Sequence, residues 1–183
     1  MVMITTPRTE ARLVSESDAA PLRAYYLRNA AHLEPWEPRR PAGFHDAAAW
    51  QARARAHAAE AAEGRAFRFV ARLRGEVEVL AVANFTNVVR GPFLACTLGY
   101  SMDAAHQGRG LMHEVLAAVI PWLETEAGLH RIMANHLPEN ARSAALLARL
   151  GFEVEGRARD YLQIDGRWRD HVLTARINDA ILP

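Results

Sequence analysis

The chain has 183 residues with 22 basic and 21 acidic side chains, a size at which one hydrophobic core suffices, so we expect a single domain over residues 1–183. No apolar run approaches the roughly 20 residues that a bilayer requires, and a net charge of +1 gives no overall attraction to nucleic acid, although Arg53 and Arg55 leave a local basic patch open. Cys96 is the lone cysteine and the N-terminus lacks a secretory pattern, so we expect a cytoplasmic protein without a disulfide, a membrane partner or direct nucleic-acid binding.

The first third of the sequence alternates between strand and helix patterns. Residues 11–15 alternate weakly, as a strand would, and a Ser-Asp pair then offers caps for a helix that runs to about residue 30. Three prolines predict an irregular loop over residues 31–43. An alanine-rich segment over residues 44–63 favours a second helix, which ends at a glycine.

The middle of the sequence is rich in β-branched and aromatic residues. Strand patterns cover residues 65–73, 77–89 and 93–102, and Arg74-Gly75-Glu76 forms a plausible hairpin turn between the first two. Three consecutive strands of this kind predict an antiparallel meander.

Helical and strand patterns alternate in the last third. A broad apolar face at helical spacing predicts a helix over residues 110–126 that packs on the sheet. A short strand is expected at residues 130–136 and a helix at residues 141–149, closed by Gly151. Asp165-Gly166 between two alternating runs predicts a final hairpin. The order of elements indicates an α+β fold with a mostly antiparallel sheet.

The stretch "HQGRGLM" at residues 106–112 stands between a predicted strand and a predicted helix. Glycines in such a turn let an anion approach several backbone N–H groups, which the helix dipole also favours. The stretch has neither the Lys-Ser/Thr ending of a P-loop nor the three glycines of a dinucleotide fingerprint. By itself it leaves two interpretations open, a phosphate-binding turn and an ordinary glycine-capped helix start.

Motifs around this stretch carry a resemblance to a known family. Gln107-x-x-Gly110-x-Met112, followed by "NHLPENARSAALLARLGFEVEG", resembles the two signatures of the GCN5-related acetyltransferase superfamily, although Met112 replaces the usual small residue. With "PWEP", "VANFTNVVRG", "LGYSM" and "DYLQIDGRWRDHVLTA", the sequence is similar to the RimJ-type ribosomal-protein alanine N-acetyltransferases over residues 35–175.

The resemblance implies a fold and an activity. The fold would be a mixed, mostly antiparallel sheet of about six to seven strands, with helices on both faces and a V-shaped split between central strands. The activity would be transfer of an acetyl group from acetyl-CoA to the N-terminal alanine amine of a small-subunit ribosomal protein, by a monomer or a homodimer.

The resemblance also implies which residues hold acetyl-CoA. Backbone groups of Leu98, Tyr100 and Met102 would bind the pantetheine arm, and Asn140 and Ser143 would reach the thioester end. The pyrophosphate would rest on the amides of one turn: Gln107, Gly108, Arg109, Gly110, Leu111 and Met112. Three alternatives stay open: Leu98 as a buried strand residue, Asn140 as a helix N-cap, and Arg142 as either a phosphate contact or a solvated side chain.

Direct attack on the thioester requires a neutral amine, and the lower pKa of an α-amine favours an N-terminal acceptor. An α-amino group has a pKa of ~7.7–8.0 against ~10.4 for lysine, a difference of about 3.5 kcal/mol. The resemblance suggests Ser143 as the acid that protonates the thiolate and Asp160 as the base, with a water relay as the fallback. Cys96 could accept the acetyl group first, but a small buried core residue is the expected role.

The acceptor side is less clearly marked. Trp36 and Glu37 would line the acceptor site, and Glu37 would pair with a cationic peptide. Tyr161, which follows the candidate base, is a further candidate for acceptor binding. Asn84 and Asn87 would bind peptide backbone, or else mark a bulge or strand end. No histidine spacing suggests a metal site. Two other functions compete: acetylation of a small amine such as a drug or metabolite, and acyl-CoA binding without catalysis, as a sensor or ribosome-assembly factor.

Overall fold

The computed structural model describes residues 2–180, which form one eight-stranded sheet and five helices. The strands, in chain order, are β1 Met3–Thr5, β2 Thr9–Leu13, β3 Phe67–Leu73, β4 Ala81–Val89, β5 Ala95–Met102, β6 Arg131–Met133, β7 Glu153–Ile164 and β8 Arg167–Ile177. The helices are α1 Ala19–Arg28, α2 Ala30–Leu33, α3 Ala47–Ala62, α4 Leu111–Thr125 and α5 Ala141–Arg149. No helix of the described part is long and apolar enough to cross a membrane.

The strand order in the sheet is β1-β2-β3-β4-β5-β6-β8-β7. Every neighbouring pair is antiparallel except β5 and β6, which are parallel. The β5–β6 pairing stops at Thr97 and Met133, while β5 continues to Met102. Beyond Met133 the chain bonds to β8 instead, since Ala134 N donates to Thr174 O at 2.9 Å. The two central strands therefore part, which opens the expected V-shaped split.

Helices cover both faces of this sheet. Phe69 and Val70 are adjacent on β3 and point to opposite faces, and both are buried. Phe69 belongs to the apolar cluster that contains Val115 and Leu116 of α4, whereas Val70 belongs to the cluster that contains Trp50 of α3. The α+β class, the mostly antiparallel order and the helices on both faces are thus confirmed.

The eight strands are compatible with the expected number of about six to seven, since the additional strand β1 has only three residues, too few to show a pattern. Some predicted boundaries were wrong. The stretch expected as loop over residues 31–43 begins inside α2, which is followed by a 3-10 turn at Glu34–Trp36. Residues 77–80 lie outside β4, and the strand expected at residues 130–136 is only β6. The final hairpin is present, with Asp165 and Gly166 at φ +45° and +75°.

Candidate active site

The open edge of β5 presents backbone groups to the split. Leu94 O accepts from Arg131 N at 3.1 Å, so Leu94 faces β6, and backbone direction alternates along a strand. The amides and carbonyls of Leu98, Tyr100 and Met102 therefore face the split, at the positions predicted for the pantetheine arm. The side chains of Leu98 and Met102 are buried in the core. Burial of Leu98 and an exposed backbone edge are thus compatible.

The turn between β5 and α4 forms a concave array of N–H groups, here called the amide turn (residues 107–112). Gly108 and Gly110 have φ of +74° and +73°, a conformation that side chains with a Cβ rarely adopt. Within residues 2–180, none of the six amides of the turn donates a hydrogen bond to a protein acceptor. Because α4 begins at Leu111, the positive end of its dipole lies at the same point. The array is suited to bind a diphosphate.

Side chains of the amide turn contribute unequally. Leu111 and Met112 are buried in the core, so only their backbone is available to a ligand. Met112 therefore does not crowd the turn, although it departs from the family pattern. Arg109 is exposed, and its carbonyl accepts from Arg8 Nη1 at 3.1 Å. Its guanidinium remains free to extend toward an anion.

Two carboxylates fix the ends of the amide turn. Asp103, at the end of β5, accepts from Arg28 Nε at 2.7 Å and from the backbone N of Ala105 at 3.0 Å. Glu114, in the first turn of α4, accepts from Thr6 Oγ1 at 2.5 Å and from Arg8 Nε at 2.6 Å. The turn is therefore preorganised by ion pairs on both sides.

Gln107 connects the amide turn to two helices. Its Oε1 accepts from Arg142 Nη1 of α5 at 2.6 Å, and its Nε2 lies 2.7 Å from His32 Nε2 of α2. Arg142 is exposed but directed toward the turn, which keeps phosphate contact possible for its remaining N–H groups. His32 was not recognised in the sequence, where a lone histidine in a short helix gives no signal.

A pair of hydroxyls bridges the open end of the split. Tyr100 Oη and Ser143 Oγ are 2.6 Å apart, and burial raises the pKa of Tyr100 to about 12, so its hydroxyl keeps its proton at neutral pH. Asn140 Oδ1 accepts from Ser143 N at 3.0 Å, which shows that Asn140 is an N-cap of α5. The cap orients Ser143 toward β5. Only the backbone of Tyr100 was predicted to matter, and the hydroxyl was missed.

Asp160 occupies a bulge of the edge strand β7. Its φ is +45°, its side chain is exposed, and its backbone N donates to Asp170 Oδ1 at 3.1 Å. Tyr161 is exposed, but its hydroxyl accepts from Asn135 Nδ2 at 3.0 Å and its ring packs on His171, with centroids 5.4 Å apart. Among the described residues, the Asp160 carboxylate makes no contact with the hydroxyl pair. Its role as base stays a prediction.

The proline-rich loop and the final hairpin meet at the acceptor side. Glu37 O accepts from Asp165 N at 3.0 Å, and Arg39 pairs with the Asp165 carboxylate at 3.4 Å. Trp36, with 41% of its surface exposed, stands at the edge of this junction. Glu37 is mostly buried and forms an ion pair with Arg40. Burial raises the pKa of Glu37, and the charge of Arg40 opposes that shift.

The two predicted strand asparagines lie in different places. Asn84 is paired with Gly99, beside the split. Burial raises the pKa of Tyr26 to about 12, and the neighbouring side chains of Arg40 and Asn84 oppose this rise. Asn87 has φ +53° in a bulge of β4, near the end where β5 and β6 are still paired. Asn84 therefore lies near Tyr26 and beside the split, whereas Asn87 lies far along the strand from the amide turn, and the acceptor-binding role of both stays a prediction.

Cys96 is fully buried in the core. Burial raises the pKa of its thiol to about 12, so the nucleophilic thiolate is disfavoured at neutral pH. An acetyl relay through Cys96 has no support in this geometry, which agrees with the expected structural role.

Known proteins share this sequence and architecture. The acetyltransferase (GNAT) domain model matches residues 8–153. The chain is 51% identical over 174 residues to the [Ribosomal protein uS5]-alanine N-acetyltransferase of Escherichia coli, covering 95% of this chain and 90% of that protein. The ribosomal-protein-S5-alanine acetyltransferase of Vibrio fischeri superposes with a TM-score of 0.96 at 38% identity over all of both chains. Mycobacterium smegmatis RimJ, in complex with CoA-disulfide, superposes with a TM-score of 0.87 at 34% identity over 96% of this chain and 84% of that one. The chain therefore belongs to the GNAT acetyltransferase family.

Proposed function

We propose that the chain transfers the acetyl group of acetyl-CoA to the N-terminal alanine amine of ribosomal protein uS5. The observation that carries the proposal is that the amide turn and the hydroxyl pair border one strand split, in a chain 51% identical to a uS5-alanine acetyltransferase. All groups come from one chain, so a monomer and a homodimer are equally compatible. We further propose that residues 1–183 act as one domain, and that the reaction takes place in the cytoplasm, where ribosomes are.

The donor side fits acetyl-CoA. The amide turn would hold the pyrophosphate, because its N–H groups have no protein acceptors and converge at the N-terminus of α4. Backbone groups of Leu98, Tyr100 and Met102 would pair with the pantetheine amides as a neighbouring strand would. This leads the donor toward the hydroxyl pair. The donor supplies a thioester carbonyl that an amine can attack directly.

The hydroxyl pair would serve the leaving group. As the amine nitrogen bonds to the carbonyl carbon, the C–S bond breaks and the sulfur takes the electron pair. Ser143 donates its proton to that sulfur, Tyr100, 2.6 Å away, donates its own proton to the Ser143 oxygen, and the Tyr100 oxygen takes up a replacement proton from solvent. Tyr100 begins the step protonated, because burial raises its pKa to about 12.

The acceptor needs little help to lose its proton. With a pKa of ~7.7–8.0, an α-amine is partly neutral near pH 7.5, whereas a lysine would have to pay about 3.5 kcal/mol more. Asp160 remains the proposed base, either directly or through water, since its carboxylate is exposed and free of protein partners among the described residues. An exposed carboxylate of this kind suits an acceptor that binds from solvent.

Intact-mass spectrometry of uS5 incubated with the enzyme and acetyl-CoA tests the proposal. We expect one added acetyl group at the N-terminus and release of CoA thiol. Acetylation of small amines with none on uS5 would favour a small-molecule enzyme, and binding of acetyl-CoA without thiol release would favour a non-catalytic protein. Asp160→Asn, compared with Asp179→Asn as a matched change of an exposed carboxylate, tests the base; equal rates would remove Asp160 from that role.

A further inference from the structure

A cation of the chain itself occupies a site built from one carboxylate and two aromatic rings. The Arg40 guanidinium carbon lies 4.9 Å from the Tyr26 ring centroid and 4.4 Å from that of Phe44, and Arg40 pairs with Glu37. Rings and a carboxylate around a positive charge are the arrangement that proteins use to recognise ammonium and guanidinium groups. We call Tyr26, Phe44 and Glu37 the cation cage.

The two aromatic rings of the cage are held by buried packing, whereas the Arg40 side chain is partly exposed. Tyr26 stacks on Trp50 with centroids 5.1 Å apart, and Phe44 contacts the same indole edge-on at 5.3 Å. Trp50 is buried in the cluster of α1 and α3. Arg40, by contrast, lies between two prolines in a segment without secondary structure, and its side chain is 37% exposed. An incoming cation could therefore displace the guanidinium while the two rings stay in place.

The cage opens to a cavity on the acceptor side. Its volume is about 340 Å³, within the range of ligand pockets, and Tyr26, Glu37, Arg40 and Phe44 all line it. Asn84 lies next to the cage, where its side chain lowers the pKa of Tyr26, and it pairs with Gly99 on β5, the strand that borders the split. A group bound in the cage would thus belong to the acceptor rather than to acetyl-CoA.

We propose, on the basis of the proposed function, that the cation cage binds a positive charge in the N-terminal segment of the acceptor protein, and that Arg40 holds this place until the acceptor displaces it. The charge is the side chain of a lysine or arginine near the acceptor's N-terminus, because the α-amine itself must be neutral and free to attack the thioester. Arg40 is then a competitor of the substrate and Glu37 is its receptor. Removing the two groups should therefore have opposite effects on acceptor binding.

Steady-state kinetics with two peptides, Ala-Gly-Lys-Gly-Gly-Gly and the same sequence with glutamine at position three, test this prediction. Arg40→Ala should lower the acceptor KM by about threefold or more, and Glu37→Gln should raise it by about tenfold, as expected for gain and loss of a partly desolvated charge pair. The KM for acetyl-CoA should stay constant. The shift should be confined to the lysine peptide, and a shift of equal size with both peptides would overturn the proposal.

Controls separate this role from a structural one. Arg55→Ala removes an equal charge from a pair with Glu16 that lies on other elements, and it should leave both KM values unchanged. Arg40→Gln keeps the stem of the side chain, and melting curves check that each variant is folded. An increase of acceptor KM in both Arg40 variants, or shifts of the same sign in the Arg40 and Glu37 variants, would overturn the proposal.

Calorimetry keeps the test independent of catalysis. The same peptides are titrated into each variant in the presence of CoA, which has no acetyl group to transfer. In the kinetic assay with acetyl-CoA, absence of acetyl transfer by the wild-type chain would overturn the proposed function. Equal peptide affinities of the wild type, Arg40→Ala and Glu37→Gln would overturn only the cation cage.

Discussion

Replacement of Asp103 by alanine should destabilise the fold around the amide turn. Its buried carboxylate accepts from Arg28 Nε at 2.7 Å, Asn29 Nδ2 at 3.1 Å and Ala105 N at 3.0 Å. These bonds join α1 to the end of β5, immediately before the turn. The substitution leaves these three donors, and His106 Nδ1 at 3.1 Å, without this acceptor, and it frees the segment that positions the proposed pyrophosphate site.

The magnitude follows from how far each donor can find another partner. A hydrogen bond to a charged group contributes about 1.5–3 kcal/mol, and breaking a fully buried pair costs about 3–5 kcal/mol. Arg28 is 38% exposed and can recover water, and Asn29 Nδ2 also donates to Tyr25 O at 3.0 Å. We therefore expect the free energy of unfolding to fall by about 2–3 kcal/mol, near the lower limit. This corresponds to a decrease of about 5–10 °C in Tm for a chain of this size.

The pH dependence of this loss has a definite sign. Burial raises the pKa of Asp103, but hydrogen bonds from Arg28, His106, Asn29 and Ala105 together lower it well below its ordinary value. A carboxylate whose pKa is lowered on folding stabilises the protein fully above its unfolded pKa and loses that effect as the pH falls through the folded value. The difference between wild type and Asp103→Ala should be constant at neutral pH and shrink below about pH 4.

Urea unfolding, read by circular dichroism at several pH values, measures this difference. Glu16→Ala is the matched control, because its pair with Arg55 spans 3.4 Å between side chains that are 60% and 70% exposed, and it should cost about 1 kcal/mol or less. If Asp103→Ala unfolds no more easily than Glu16→Ala at pH 7, the carboxylate does not anchor the turn. The acetyl-CoA KM, measured on the same protein, should rise with the loss of stability.

Four further substitutions test the donor side and the core. Gly110→Ala should raise the KM for acetyl-CoA without changing the acceptor KM, since the residue has φ +73° and alanine there costs about 1–2 kcal/mol of strain; steady-state kinetics measure both constants. Tyr100→Phe and Ser143→Ala should each lower kcat by about ten- to a hundredfold, with the double variant far from additive because they serve one proton transfer; fully additive losses would separate their roles. Cys96→Ala should retain kcat, as burial keeps the thiol protonated, and loss of turnover in a folded variant would restore the relay.

Much of the donor side could be predicted from the sequence, because its signals are local. Gly108 and Gly110 mark positive φ within four residues of the helix start they serve. Helix α5 was predicted with both of its ends, since Asn140 caps one end and Gly151 follows the other. Each of these features is decided by neighbours along the chain, so a single sequence carries the information.

The acceptor side is decided by contacts between distant segments. The electrostatic environment of Glu37 depends on Arg40 nearby and on burial beside Tyr26. Its position depends on a backbone hydrogen bond to Asp165, which is far away in the sequence. Neither hydrophobic periodicity nor a capping residue in the sequence predicts such a junction. For the same reason the hydroxyl of Tyr100 was missed, because its partner Ser143 comes from a helix that begins long after β5 ends.

This division between local and distant contacts has a consequence for specificity. In the proposed complex the donor would be held mainly by backbone amides, which most substitutions leave in place provided that the positive-φ glycines remain. The acceptor would meet side chains, so exchanging Glu37 or Arg40 would change the charge it encounters without altering the amide turn. The two sides also touch where Gln107 of the turn meets His32 of α2, just before the loop that carries the cage carboxylate. Substitutions in the cage should therefore change which amine is acetylated, whereas substitutions at the Gln107–His32 contact should affect donor and acceptor binding together.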